Sequence, residues 1–133
     1  MTEGGCNCKA IRYRIEGKPA VVAQCHCRNC QRQSGSAFSV NLLVKAADVT
    51  LDGDLTVYED RDTSSGNPVY RKFCGNCGSP IFSQQDDGNG MLIVKAGTLD
   101  DPAPFAPMIS LWTSTRLPWV QLPEQQKKFE RNP

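Results

Sequence analysis

Seven cysteines fall into three tight groups: Cys6-Asn-Cys8, Cys25-His-Cys27-Arg-Asn-Cys30 and Cys74-Gly-Asn-Cys77. Close-spaced thiolates beside small turn residues are how a chain wraps a soft cation such as zinc. An odd number of cysteines suits a pure disulfide framework badly. The natural division is four plus three, with one closed structural site and one site whose fourth position is open.

Cys74-Gly-Asn-Cys77-Gly has the form of a zinc knuckle, which supplies only two ligands where structural zinc wants four. Cys6 and Cys8 complete the set if the two segments meet on neighbouring strands. The competing reading of Cys74 and Cys77 is a redox pair, but such pairs normally open a helix in a βαβ setting. Cys25, Cys27 and Cys30 supply three sulfurs within six residues. They read as a second metal site, against a mixed partition of ligands between the two sites, a four-ligand site using His26, or a redox dithiol. In extended backbone, His26 points away when both flanking cysteines face the metal. It is therefore expected outside the ligand set, as a supporting or surface group. As the only histidine, it is also the one ready proton carrier near neutral pH.

Three protein ligands and an open position is the format of catalytic zinc. Three thiolates on a dication leave a net charge of −1, which weakens the ion as a Lewis acid and favours a soft fourth ligand such as an incoming thiolate. Thiol chemistry is expected ahead of hydrolysis.

These groups must be positioned by short strands. Ile11–Ile15 alternates apolar and charged residues, and Ala20–Ala23 leads into the second cysteine group. Further strands are expected over Ala37–Val44, Leu55–Glu59, Val69–Phe73, Ile81–Gln84, Met91–Lys95 and Met108–Trp112. A helical turn or two is expected over Arg28–Ser34, ended by Gly35. Turn signals separate the strands at Asp52-Gly53-Asp54, 64–68 and 86–90. The pattern is mainly β, a small single domain of short antiparallel strands over residues 1–133. Its core runs over about 4–118, with a polar tail hugging the surface over 119–133.

The 133 residues are 39% apolar and 22% charged, with 15 basic and 14 acidic side chains. A net charge of +1 lacks the basic footprint of a general nucleic-acid binder. No apolar run approaches membrane-spanning length, and no secretory leader is recognised. A cytoplasmic, thiol-reducing home is expected.

In this order, the cysteine groups resemble the glutathione-dependent formaldehyde-activating enzyme family, whose domain is shared with the centromere protein V group. Gly5-Cys-Asn-Cys-Lys-Ala-Ile-Arg-Tyr13 is similar to the family's opening pattern, and Cys25-His-Cys-Arg-Asn-Cys-Gln-Arg-Gln-Ser-Gly-Ser-Ala-Phe38 to its central one. Arg71-Lys-Phe-Cys-Gly-Asn-Cys-Gly-Ser-Pro-Ile-Phe82 is similar to the third. Pro118-Trp119-Val120, Leu122-Pro123 and Phe129 look like its closing segment. The resemblance implies a zinc-stabilised β-tent. Cys6, Cys8, Cys74 and Cys77 would hold structural zinc, and Cys25, Cys27 and Cys30 a second, more labile catalytic zinc. It further implies a carbon–sulfur lyase-type activity like that of S-(hydroxymethyl)glutathione synthase, with a small thiol such as glutathione as partner and formaldehyde as the carbonyl compound. Related domains that serve as interaction modules, or a thiol-based redox sensor, are the alternative. Arg28 and Arg32, beside the second cysteine group, are the candidates for the carboxylates of the thiol, or else solvated charges. Two departures stand out. Lys9 replaces a glycine, on what reads as a surface strand. Ser110 stands where family members commonly carry a histidine.

Overall fold

A computed structural model describes all residues, Met1–Pro133. Eleven strands and one short helix follow in the order β1 (Thr2–Gly5), β2 (Arg12–Ile15), β3 (Val21–Cys25), α1 (Arg28–Ser34), β4 (Ser39–Lys45), β5 (Val49–Asp52), β6 (Thr56–Asp60), β7 (Val69–Phe73), β8 (Pro80–Gln85), β9 (Met91–Lys95), β10 (Ile109–Leu111) and β11 (Lys127–Lys128). Single 3-10 turns at Ala46–Asp48, Ala96–Thr98 and Thr113–Thr115 join some of them. The chain is mainly β. No helix is long and apolar enough to cross a membrane.

The strands form two sheets: a three-stranded sheet in the order β1-β2-β5, and an eight-stranded one in the order β11-β10-β3-β4-β9-β8-β7-β6. Most pairings are antiparallel, as expected, but β10 runs parallel to both β3 and β11. This follows from the connection: β10 is reached only after the long Pro102–Pro107 stretch has carried the chain back to the start of β3, where Met108 N–H donates to the Val22 carbonyl.

Side-chain alternation gives the large sheet two faces of different character. On one, Val22, Leu42, Val44, Phe82, Leu92 and Val94 pack against Ile11, Tyr13 and Ile15 of the small sheet. Tyr13 meets Phe82 edge-on at 5.2 Å between ring centroids, an arrangement favoured by the ring quadrupoles. The opposite face carries Cys25, Asn41, Ile93, Lys95, Ser83 and Arg71, which border a cavity.

Strand β1 has no apolar alternation, and its glycines explain its place. A Cβ on Gly4 would lie 2.4 Å from the Tyr13 hydroxyl and 2.5 Å from the Thr98 carbonyl oxygen. Only glycine lets the tyrosine ring lie against this edge strand and its hydroxyl bond Thr98 Oγ1 at 2.7 Å.

The segment 119–133, expected to hug the surface, is built into the sheet. Val120 and Gln126 are buried, β11 pairs with β10, and the N–H groups of Trp112, Thr113 and Ser114 donate to the carbonyls of Arg131, Phe129 and Glu130. Edge pairing needs backbone groups more than apolar side chains, so a polar segment serves.

Candidate metal and substrate site

The first cysteine pair lies in the turn from β1 to β2, and Cys74 and Cys77 in the turn from β7 to β8. Both are tight turns closed by their own backbone. Gly78 N–H donates to the Cys74 carbonyl at 2.8 Å, and Cys74 N–H to the Ser79 carbonyl at 3.0 Å. Ile11 N–H donates to Cys6 Sγ at 3.3 Å, while Asn7 N–H reaches across to Ser79 Oγ at 3.1 Å. The four sulfurs lie within 4.8 Å of one another. Cys6 to Cys8 is 3.6 Å and Cys8 to Cys74 is 3.7 Å. A tetrahedral zinc at ~2.3 Å from each sulfur requires edges of about 3.8 Å, so the donor set fits that ion. The Ser79 hydroxyl and backbone pull the Cys77 thiol down to about 5, favouring the thiolate a metal needs.

Lys9 sits in this first turn, not on a strand. Its φ is +70°, and its N–H donates to the Cys6 carbonyl at 3.2 Å. The left-handed backbone accounts for the glycine in the family's pattern.

The second group spans a strand-to-helix junction. Cys25 ends β3, Cys27 caps α1 by accepting from the Cys30 N–H at 3.2 Å, and Cys30 follows in the first turn. Gly35, with φ +63°, ends the helix as expected. All three cysteines are buried, and their sulfurs lie within 4.8 Å of one another. All seven cysteines are free thiols. Within the trio, hydrogen bonds from Cys27 and Cys30 push Cys25 up, whereas those from Cys25 and Cys27 pull Cys30 down, with Lys95 adding to the fall. Three sulfurs and no fourth protein donor suit a metal with one position left for a ligand.

His26 is not among these sulfurs. Its ring is 0% exposed, lies against Phe38 at 5.4 Å and has no hydrogen-bond partner on either nitrogen. The alternation turns it away from the trio, but Phe38 covers that side, so it is buried where a surface position was open to it. Burial, then the charge of Arg116, lowers its pKa. It does not border the cavity.

That cavity, of about 110 Å³, opens beside the three sulfurs. Arg28 and Arg32 do not line it: both are exposed, and Arg28 donates to the Gln31 side chain on its own helix. The cations that do line it are Arg71 and Lys95, each 6% exposed. Arg71 is paired with Asp60 at 3.2 Å. Lys95 Nζ donates to Asn41 Oδ1 at 3.3 Å, and burial lowers its pKa against the opposing pull of Cys30. Arg28 and Arg32 lie on the exposed side of the helix, opposite Cys30, while Arg71 and Lys95 stand on the sheet face that carries Cys25. A signal existed: Lys95 ends an otherwise apolar strand, and Arg71 shares a strand face with Val69 and Phe73 on β7.

Leu111 and Trp112 complete the wall. Trp112 has φ +57°, and its indole N–H donates to Asn132 Oδ1 at 2.9 Å. Ser110 is 0% exposed and looks the other way. Its hydroxyl meets Gln126 Oε1 at 2.6 Å and Gln24 Oε1 at 3.3 Å. The side chain at this position therefore does not shape the cavity.

Comparison with known proteins agrees with this geometry. No curated protein matches the chain. A crystal structure of a Rhodobacter sphaeroides protein, a structural-genomics target, shares the fold with a TM-score of 0.58 at 19% identity, over 77% of this chain and 93% of that one. The pattern of the glutathione-dependent formaldehyde-activating enzyme family matches residues 1–115, a stretch that holds every one of the seven cysteines. By that match the chain belongs to the glutathione-dependent formaldehyde-activating enzyme family.

Proposed function

We propose that this protein is a zinc-dependent carbon–sulfur lyase-type enzyme acting on the adduct of a small thiol and a carbonyl compound, with glutathione and formaldehyde, the pair in the family's name, as first substrates to try. The observation that carries this reading is the trio of free cysteines bordering a cavity that also holds two buried cations. Cys6, Cys8, Cys74 and Cys77 would hold a structural zinc, and Cys25, Cys27 and Cys30 a second one. Bound there, the ion would supply a soft site at which a thiol gives up its proton readily.

The chain's own part is to hold the reactants together and limit water. Ile93, Leu111 and Trp112 provide apolar walls, and a fixed cavity converts an encounter in solution into a reaction between neighbours. In the forward direction the thiol sulfur bonds to the carbonyl carbon, and the proton lost by sulfur ends on the carbonyl oxygen. The reverse breaks the same carbon–sulfur bond.

Two measurements on reduced protein test this. Elemental mass spectrometry should count about two zinc ions per chain. Exchange NMR of glutathione with formaldehyde should show interconversion with the hydroxymethyl adduct faster than the uncatalysed background. Background rates with every small thiol and aldehyde tried would overturn the reading. Reversible loss of zinc to mild peroxide in that case would favour a thiol sensor.

A further inference from the structure

The wall of the cavity made by β8 and β9 has hydrogen-bond donors that nothing in the protein uses. Ser83 is 1% exposed, borders the cavity, and its hydroxyl has no partner. Lys95 forms no ion pair, and its single hydrogen bond, to Asn41, leaves two of the three ammonium hydrogens free. Asn41 is itself held, donating to Ser39 Oγ at 3.0 Å. Arg71, on the neighbouring β7, is committed: Nε and Nη2 both lie 3.2 Å from Asp60 Oδ2. A buried hydroxyl without a partner and a buried ammonium with free hydrogens are costly unless something in the cavity accepts from them.

We propose that Lys95 and Ser83 are catalytic residues that bind the oxygen of the carbonyl substrate through the ammonium and hydroxyl hydrogens. This rests on the reading of the trio as the thiol end of the site.

Charge supports the assignment. With a dication on the trio the three thiolates would carry −1, Asp60 −1, and Arg71 and Lys95 +1 each, so the site would be neutral before substrate enters. A bound thiolate makes it −1. As the sulfur lone pair forms the bond to carbon, the carbonyl π pair moves to oxygen, and the negative charge passes from sulfur to the oxygen that Lys95 and Ser83 would hold. Donors fixed at the atom that gains charge lower the barrier, because they need no reorganisation at that moment. The proton that left the thiol returns to the oxygen from water, which completes the hydroxymethyl thioether. A buried, half-satisfied wall in the free protein is what such a device looks like before its oxygen arrives.

Size agrees. A cavity of ~150 Å³ accommodates benzene, so about 110 Å³ takes four or five heavy atoms. The sulfur, its carbon and a carbonyl group make four. The rest of the thiol must lie outside, and a bulky aldehyde has no room.

The test uses the zinc-loaded protein and exchange NMR with glutathione and formaldehyde. Lys95→Met and Ser83→Ala should each lower kcat by about 10²-fold, leaving KM for the thiol and zinc content unchanged and the melting temperature no lower than in the wild type. Lys95→Arg should recover part of the loss, and benzaldehyde should not be turned over. Wild-type rates in Ser83→Ala and in a charge-removing variant, Lys95→Met or Lys95→Gln, overturn the inference while leaving the thiol–carbonyl reading intact. Ser83→Ala and Lys95→Gln decide even if Lys95→Met does not fold. Absence of turnover in the wild type with any small aldehyde overturns both.

Discussion

Asn29, on the helix that carries Cys30, accepts from both the backbone N–H and the hydroxyl of Ser64, each at 3.1 Å. Its amide donates to the Asp62 carbonyl at 2.6 Å. One side chain thus ties the cysteine-bearing helix to the 62–65 segment that forms the cavity's rim. Asn29→Ala should free that rim at a global cost of only about 1 kcal/mol. Hydrogen exchange at residues 62–66 should speed up while the strands stay protected. Unaltered protection there would mean the segment holds itself in place.

The two cysteine groups should respond differently to the loss of one sulfur. Cys74 is buried and its cluster joins segments 66 residues apart, so Cys74→Ser should abolish cooperative melting, because metal binding at such a site is folding free energy. Cys27→Ser should keep a cooperative transition, lose about one zinc per chain and lose turnover. A cooperatively folded Cys74→Ser variant would refute the structural assignment.

Lys9 stands at φ +70°, where a Cβ is unfavourable by roughly 1–2 kcal/mol and glycine is not. Part of that gain is returned through the greater freedom of glycine in the unfolded chain. Lys9→Gly should therefore stabilise the protein by about 1 kcal/mol, read as a higher urea midpoint with the same slope.

Ser110, Gln24 and Gln126 form a closed buried hydrogen-bonded set on the sheet face away from the cavity. Ser110→Ala should cost about 1–3 kcal/mol, since it leaves Gln126 Oε1 without a donor, while Gln24 Oε1 keeps the Gln126 amide. Zinc content should not change. A drop in zinc would tie this triad to the cysteine trio after all.

Burial pushes the Tyr13 phenol up to about 12, with the Thr98 bond acting the other way. A raised acid favours its neutral form in the folded state. The stability this gives is complete below pH ~10, the ordinary tyrosine value, and is lost as pH rises from there through about 12. In a near-ultraviolet titration, Tyr13 should ionise only as the protein unfolds, and Tyr13→Phe should remove that late phase. A smooth ionisation of every tyrosine below the unfolding transition would contradict the packing.

Much of this was legible in the chain. The strands at Val69–Phe73 and Met91–Lys95 follow from short runs of strand-forming residues between turn signals, and the helix at Arg28–Ser34 from its end at Gly35. The grouping of the sulfurs follows from their spacing. What escaped was set by tertiary pairing. Thr2–Gly5 and Lys127–Lys128 become strands because a neighbour offers an edge, and neither has an apolar pattern to announce it. Val49–Asp52 lies outside every strand expected from the sequence, yet it forms the far edge of the small sheet. Arg28 and Arg32 drew attention by proximity in sequence to the trio, whereas Lys95 and Arg71 reach it from strands 65 and 41 residues further on than Cys30. Charged residues inside apolar strands were the better guide than charged neighbours of a cysteine.

The two-faced sheet has a consequence for how such a chain can change its length. On β4, β8 and β9, Leu42, Phe82 and Val94 face the core while the adjoining Asn41, Ser83 and Lys95 face the cavity. Inserting or deleting one residue within these strands would carry an ammonium into the core and a valine into the cavity, spoiling both at once. Two residues restore the parity. Changes of length are thus tolerated in the turn at 86–90, but inside the three strands they are expected in even steps.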